Sequence, residues 1–407
     1  MMNRIVSIFS MALLASVLGT IQAYPEIMDE SYYANLTKRT VIVANLASKD
    51  SVELASFYAK QREIPLANIL YINCPDTERV SWNVFVEQIF NPIRTDLVSR
   101  GWIRGKILPE FDSHGRLKIV ANGVKIAYLV TTYGVPFAIE NAPGEILKDA
   151  KFDVFNWEKT HTTAASVDSE LGFFAVHGSP IVSVVNNPYY ERRNAREESD
   201  YIVKVSRIDG PSLAICKRII LDSIEAEQTE TLGRGFIDLG GGPTTLGDEW
   251  LESVFGILED VGIPVEKDVG KSLAGRGPNL DNLSFYFGWY AANFSGGIAS
   301  EEASFKPGSI AFHIHSFSGK IRDEELGWTG PLLVKGAAVS VGNVNEPYLE
   351  LTHRPDLLLK SLSLGWNVGD AMAYSLPMLS WQTIHIGDPL YRPFLSKLKI
   401  ISAIKPD

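Results

Sequence analysis

The sequence predicts an α/β protein in which helices flank a mostly parallel sheet. Apolar runs alternate with amphipathic stretches, and three early runs are continuous: VIVAN (41–45), ANILYINC (67–74) and VKIAYLVTTYGVP (124–136). Continuous apolar runs indicate strands that are buried on both faces, as happens when helices cover a parallel sheet. The same alternation returns after residue 200, so the prediction covers most of the chain.

The first 23 residues predict a signal peptide. Arg4 precedes the apolar run 5–21, and Ala23 closes an imperfect small-residue cleavage site. An uncleaved membrane anchor is the alternative, but the run is short for a bilayer span and no later apolar stretch is long enough. We therefore expect a secreted or periplasmic protein of the cell envelope, with no membrane span after cleavage.

Composition excludes one class of partner. The chain is 45% apolar and 21% charged, which is ordinary for a globular protein, and its net charge is −10. Nucleic-acid binding requires clustered Lys and Arg to neutralise phosphates, and the sequence has no basic stripe. The expected partner is a protein, a peptide or a saccharide of the cell envelope, and the sequence does not choose among them.

We place an N-terminal α/β lobe at residues 24–200. Asp50 and Glu53 form a capping-box pattern at the start of a helix that Pro65 stops. A second amphipathic helix is predicted between residues 82 and 90, where apolar side chains recur at positions i, i+3, i+4, i+7 and i+8. Strand and helix therefore alternate through this lobe.

A second α/β lobe is placed at residues 201–395, and a C-terminal tail at 396–407. Its predicted strands are YIVKVSRI, GRGFIDL, FYFGWYA, SIAFHIH and AAVSV, and its predicted helices cover 213–227, 247–262, 354–365 and 368–376. This order repeats the strand–helix alternation of the first lobe.

Two strands of the second lobe break off at polar residues, which is typical of an α/β active-site edge. The first carries His313 and His315, and the second stops at Gly342 and Asn343, shortly before Glu346. Ligands collect at the carboxyl ends of parallel strands, so His315, Asn343 and Glu346 are candidates for one catalytic site. The two histidines are spaced to face the same side of the strand.

The chemistry at this edge stays open. His315 is a candidate base, with Glu346 or Asp388 as its partner and Ser316 or a water as the nucleophile. His313 is either a binding residue or a hydrogen-bonded core histidine. The pair of histidines could also hold a divalent metal with Glu346, His353 or Asp388 as the third ligand, but the spacing does not select this option, and no cofactor is assigned.

Three further residues are candidate binding residues. Tyr133 ends the third predicted strand and would line the same cleft if the whole sheet is parallel. Asp168 lies in the segment VDSEL, and Trp289 lies in an aromatic run that either stacks on sugars or fills the core. Cys74 and Cys216 could form a disulfide in an oxidising compartment, although the apolar neighbours of Cys216 predict a core residue.

Several short motifs follow one another in an order known from another family. They are VDSEL (167–171), VSRIDGPS (205–212), HIHS (313–316), AAVSVGNVNEP (337–347), LGWNVGDAMAYS (364–375) and HIGDPLYRP (385–393). In this order they resemble gingipain-type cysteine peptidases, and the resemblance implies a caspase-like second lobe. Such a peptidase needs a Cys thiolate at the strand end next to the His. This chain has Gly342 and Asn343 there, so we do not expect a cysteine peptidase.

A second set of motifs spreads over residues 38–395. The motifs are VANLASKDSVELASFYAKQREIP, YFGWYA, HIHSF, GNVNEPYLELTHR and GDPLYRP. In them the chain is similar to a family of exported bacterial proteins of unknown function. We therefore expect a binding or scaffold protein with a caspase-like fold and no catalytic Cys. The alternative is a hydrolase of another chemistry that works in the same cleft.

Overall fold

The computed structural model describes residues 30–143, 162–179, 181–182, 184–192, 199, 201–229, 232–239, 242–268 and 279–398. The predicted signal peptide, the start of the first lobe and most of the predicted tail lie outside the described residues. Within the described part, no helix combines the length and the apolar character that a membrane crossing requires.

The strands are β1 (Thr40–Asn45), β2 (Ile69–Ile72), β3 (Arg79–Val80), β4 (Ile103–Phe111), β5 (Leu117–Val124), β6 (Tyr128–Thr132), β7 (Ala138–Ile139), β8 (Ala165–Ser166), β9 (Val185–Asn186), β10 (Lys204–Ile208), β11 (Arg234–Leu239), β12 (Val265–Asp268), β13 (Leu283–Trp289), β14 (Phe305–Ile314), β15 (Val339–Asn343), β16 (Met378–Leu379) and β17 (Thr383–Ile386). The helices are Glu30–Lys38, Lys49–Gln61, Trp82–Val84, Asn91–Ser99, Val167–Leu171, Leu213–Gln228, Leu246–Asp260, Thr329–Lys335, Pro355–Ser363 and Val368–Ser375. A π-helical turn spans Phe85–Phe90, and 3-10 turns span Leu66–Asn68, Gly297–Ala299 and Leu349–Leu351.

Ten strands form one sheet in the order β12-β11-β13-β14-β15-β17-β10-β6-β1-β2. Neighbouring strands of this sheet are parallel except β15 and β17, which are antiparallel. The predicted fold class, α/β with a mostly parallel sheet, is therefore confirmed. The sheet continues across residue 200 because β6 pairs with β10, so strands of both predicted lobes share one sheet.

The single antiparallel pair reverses the direction of half the sheet. In β15 and β17, Ser340 lies opposite Ile386 and Asn343 lies opposite Thr383. Strands β11 to β15 therefore run one way, whereas β17, β10, β6, β1 and β2 run the other way. As a result, the carboxyl ends of β13, β14 and β15 lie at one edge of the sheet and the carboxyl ends of β6 and β10 lie at the opposite edge.

Helices cover both faces of the sheet, which explains the continuous apolar runs in the strands. The helix Lys49–Gln61 packs Leu54 and Tyr58 against one face of β1, and residues 82–97 pack Phe85 and Phe90 in a cluster with Val43. In the other half, the helix Leu246–Asp260 belongs to a core with alternate residues of β13, β14 and β15. The apolar face that predicted the second helix is buried, although part of the segment forms a π-helical turn.

Two local predictions were wrong. Ser48 precedes the helix Lys49–Gln61, so Asp50 lies inside the first turn and the expected capping box is not formed. The long third strand predicted at 124–136 is shorter, because β5 ends at Val124 and pairs with β4 as an antiparallel hairpin before β6 begins. The possible disulfide is not formed either: Cys74 and Cys216 are unpaired and lie in different core clusters.

Candidate functional site

Three parallel strands bring the candidate residues together. In β13 and β14, Trp289 lies opposite Ile314, and in β14 and β15, Phe312 lies opposite Val341. Because the three strands end at the same edge, the residues that follow them converge there. They form an open cleft with about 230 Å³ of space, whose lining includes Trp289, Tyr290, His315, Ser316, Asn343, Glu346 and Tyr348.

Asn343 is held in place at the centre of this cleft by hydrogen bonds of its side chain. Its side chain is buried, and its Nδ2 donates a hydrogen bond to the backbone oxygen of His315 at 3.1 Å. Its Oδ1 accepts hydrogen bonds from the hydroxyls of Thr352, at 3.2 Å, and Thr383, at 3.0 Å. The amide therefore holds the chain at His315 in place, and Asn343 positions the site instead of acting as a nucleophile.

One ring nitrogen of His315, Nε2, is available to a ligand in the cleft. Its Nδ1 lies 2.6 Å from the backbone oxygen of Ser316, which can only accept, so Nδ1 carries the proton. The lone pair is then on Nε2, which has no hydrogen-bond partner among the described residues. The ring is half-buried, and the centroid of the Tyr290 ring lies 5.3 Å away.

The hydroxyl of Ser316 is hydrogen-bonded to Glu346 and not to His315. Its Oγ donates to Oε2 of Glu346, and Oε1 of Glu346 accepts from the backbone N–H of Tyr348 at 3.2 Å. The backbone N–H of Glu346 in turn donates to Asn345. Glu346 is therefore held firmly although it is exposed, and no Ser–His pair of the kind that activates a serine nucleophile is assembled.

Two strained aromatic residues, Tyr290 and Tyr348, line the cleft, and a third, Phe317, follows Ser316 in the chain. Tyr290 has a φ of 77°, Phe317 of 55° and Tyr348 of 64°, values in the left-handed region that favours glycine. The three side chains are 50%, 52% and 39% exposed. Each such backbone conformation costs about 1–3 kcal/mol and persists where the surroundings impose it, often at functional sites. The strain here keeps aromatic rings at the surface beside His315.

His313, a predicted binding residue, lies beneath the cleft and does not line it. Its ring stacks on Trp328 with centroids 3.4 Å apart, and the backbone N–H of Ala291 donates to its Nε2 at 3.1 Å. Nδ1 therefore carries the proton and donates to the hydroxyl of Tyr286 at 2.9 Å. Burial, with a smaller effect from His315, holds the pKa of His313 well below its usual range. His313 is a neutral core residue.

Trp289 is brought to the cleft, but two other predicted binding residues are not. Trp289 is buried in the cleft floor, and its Nε1 donates to Asp248 at 2.7 Å. Asp168 is buried in an ion pair with Arg207, where the two groups make two hydrogen bonds of 2.8 Å. Tyr133 lies under Arg322 at the opposite edge of the sheet, because the antiparallel pair reverses β6.

Asp388, predicted as a possible partner of His315, has other partners. Its carboxylate accepts hydrogen bonds from the hydroxyl of Tyr58 at 2.7 Å, from Nε of Arg62 and from the backbone N–H of Leu390. Arg62 also pairs with Glu227. Asp388 is fully buried in this network under two helices, so it does not join the cleft. The prediction failed because the Gly-Asp-Pro pattern predicts a turn but does not indicate which distant side chains lie beside that turn.

No group of three or more His, Cys, Asp or Glu side chains in the described part of the chain is arranged to hold a metal ion. His353, considered as a third ligand, is buried, and its Nδ1 lies 2.9 Å from the hydroxyl of Ser375. With His313 bonded to Tyr286 and Asp388 bonded to Arg62, the sequence-based metal set is not assembled.

Neither cysteine lies in the cleft lining. Burial, together with the charge of Asp76, raises the pKa of Cys74 to about 12. Burial likewise raises the pKa of Cys216 well above its usual range, and its side chain is fully buried, as the sequence predicted. A thiolate is the form of Cys that acts as a nucleophile, so both thiols are inert at neutral pH.

Sequence reasoning missed the residues that build the cleft around His315. Thr352 and Thr383 anchor Asn343, yet nothing in the sequence marks them as its neighbours. Tyr290 and Tyr348 form the aromatic rim, and the only signal for them was the position of Tyr290 at the end of an aromatic strand. Left-handed backbone at a tyrosine cannot be read from sequence.

The fold and the cleft together define an α/β protein with a polar, aromatic-rimmed cleft at the carboxyl ends of three parallel strands. No family model matches the chain, and no curated protein matches it in sequence. The chain is similar to a solved structure described as "Structure of Protease", with a TM-score of 0.41 and 10% identity over 88% of this chain and 78% of that one. A likeness at this level says nothing about the chemistry of the cleft.

Proposed function

We propose that the chain is an exported binding protein of the cell envelope, and that its ligand, a peptide or a saccharide, occupies the His315 cleft. The observation that carries this proposal is the position of Asn343. It stands where the resemblance to gingipain-type peptidases places a nucleophile, and its amide is engaged with His315, Thr352 and Thr383. Because these hydrogen bonds fix the central residue, the site favours binding of a ligand over catalysis by Asn343.

The lining of the cleft narrows the ligand class. Glu346 and Glu350 contribute carboxylates, and the described lining contains no Lys or Arg. Exposed rings of Tyr290 and Tyr348 offer flat apolar faces and attract cations. An anionic ligand would meet only like charge, so the cleft favours a neutral saccharide or a peptide with a basic group.

Hydrolysis in the same cleft is the second candidate, and one observation favours it. His315 keeps an unbonded Nε2 lone pair in an open cleft that also contains the carboxylate of Glu346. A water placed between them could lose its proton to His315 while Glu346 stabilises the resulting imidazolium. Ser316 would then position Glu346 instead of acting as the nucleophile.

Two variants test the binding proposal. We expect His315→Ala and Tyr290→Ala to weaken binding of the best peptide or oligosaccharide at least tenfold in calorimetric titration, because each removes a large part of the lining. Tyr201→Ala is the matched control, since Tyr201 is 44% exposed and lies outside the cleft lining. Equal affinity in all three variants would place the ligand elsewhere.

Turnover separates the two candidates. Purified protein is incubated with peptide, ester and glycoside substrates, with and without divalent metal. The binding proposal expects no turnover above background. Turnover that disappears in His315→Ala and falls in Glu346→Gln would establish hydrolysis instead.

A further inference from the structure

A second cavity lies between β10, β17 and the helix Val368–Ser375, and it shares no lining residue with the His315 cleft. Its free volume is about 40 Å³, and its walls are mostly apolar, with Met372, Ala373 and Leu376 on one side. A water molecule needs roughly 10–15 Å³ of such space, so the cavity admits a molecule of only a few non-hydrogen atoms.

The charged groups at the wall of this cavity are already paired. Lys204 makes an ion pair of 2.7 Å with Asp370, and its ammonium also lies 4.6 Å from the centre of the Tyr189 ring. Asp168 is paired with Arg207. Each cation therefore faces a carboxylate, and a charged molecule in the cavity would have no counter-charge of its own.

His385 is the polar group that the cavity leaves without a partner. Within the described residues, neither of its ring nitrogens has a hydrogen bond, and the ring lies edge-on to His353 at 5.7 Å. Burial, partly offset by Asp168 and reinforced by Arg207, lowers the pKa of His385 to about 4. At neutral pH the ring therefore offers one N–H donor and one lone pair.

We propose that this cavity binds a small uncharged molecule that has an apolar body and one amide or hydroxyl group, which hydrogen-bonds to His385. The apolar walls bind the body, as in most small-molecule sites, and the neutral imidazole selects the polar group. This site is independent of the function proposed for the His315 cleft.

Imidazole nitrogen resonances provide a direct test. The chain has seven histidines, so ¹⁵N-histidine labelling gives a small set of signals in which His385 can be assigned by substitution. Propionamide is titrated, with propionate and propylammonium as charged molecules of similar size. We expect propionamide to shift the His385 signals with a dissociation constant on the order of millimolar, near what so few atoms can provide. Exposed His177 is the internal control.

Two variants complete the test. Ala373→Leu fills the cavity with a good helix former and should abolish the shift while leaving the fold intact. His385→Leu, followed by calorimetry because the reporter is lost, should weaken propionamide binding about fivefold, the range for one neutral hydrogen bond. Undisturbed His385 signals in 100 mM propionamide, unchanged binding in Ala373→Leu, or equal binding of propionate would each overturn the proposal.

Discussion

The His315 cleft and the cluster of Tyr58, Arg62, Glu227 and Asp388 both contain carboxylates and tyrosines, but they arrange them in opposite ways. In the cluster, every charged group faces an opposite charge: Arg62 pairs with both Asp388 and Glu227. Burial alone lowers the pKa of Arg62, but the two carboxylates outweigh it and raise the pKa above its usual range. In the cleft, Nε2 of His315 has no hydrogen-bond partner among the described residues, and Glu346 is exposed.

This difference suggests different roles for two regions of one sheet: the cluster stabilises the fold, and the cleft is available to a ligand. In the cluster, the side chains of Arg62 and Glu227 are only 12% and 14% exposed and that of Asp388 is fully buried, so little surface is left for a ligand. In the cleft, the lone pair of His315 and the exposed aromatic rings are free to contact a ligand. We therefore expect changes in the cluster to alter stability, and changes in the cleft to alter binding.

The largest expected effect comes from breaking the cluster. Asp388→Asn keeps the shape of the side chain but removes its charge beside Arg62, and removing one partner of a buried pair costs about 3–5 kcal/mol. We expect the free energy of unfolding, measured by urea denaturation, to fall by this amount.

Asp96→Asn is the matched control for this change. Asp96 pairs with Arg100 at 2.8 Å, but both side chains are about one third exposed, so its loss should change stability by less than about 1 kcal/mol. Equal effects of the two substitutions would mean that the Asp388 cluster contributes no more than a surface pair.

Acid should weaken the fold through His313, His353 and His385. Burial lowers the folded-state pKa of His313, His353 and His385, the last to about 4. Between pH 6.5 and about 4, the unfolded chain therefore binds more protons than the folded chain, so stability falls as pH falls. Each unit of lowering corresponds to about 1.4 kcal/mol.

Thermal melts at pH 7, 6, 5 and 4 measure this dependence. We expect the melting temperature of His385→Leu to fall less steeply across this range than that of the wild type. His177→Ala serves as the control because His177 is exposed, and it should follow the wild-type curve. Identical slopes in all three proteins would show that His385 is not held neutral by the fold.

The sequence predicted what local pattern controls. Continuous apolar runs marked β1, β14 and β15, and the polar residues that end β14 and β15 predicted the edge where His315, Ser316, Asn343 and Glu346 meet. The direction of the sheet was not predictable, because it depends on β17, a four-residue strand that pairs antiparallel with β15. That pairing places Tyr133 at the edge of the sheet opposite the cleft.

Long-range partners were the other limit. Asn343 depends on Thr352 and Thr383, of which the second lies 40 residues further along the chain. Asp388 was a candidate partner of His315, but its bonds to Tyr58 and Arg62 span more than 300 residues. Periodicity reports which side chains are buried, and it carries no information about which distant side chain completes a hydrogen bond.

The smallest expected effect concerns the strain at the cleft. Tyr290 adopts a left-handed backbone conformation in which Gly is unstrained and every residue with a Cβ is not. Tyr290→Gly and Tyr290→Ala remove the same ring, so the difference between them reports the backbone alone. We expect the Gly variant to be more stable than the Ala variant by about 1 kcal/mol in urea denaturation, with both variants equally weak in ligand binding. An Ala variant as stable as the Gly variant would show that Tyr290 is not strained. In that case the exposed position of the Tyr290 ring would not reduce the stability of the fold.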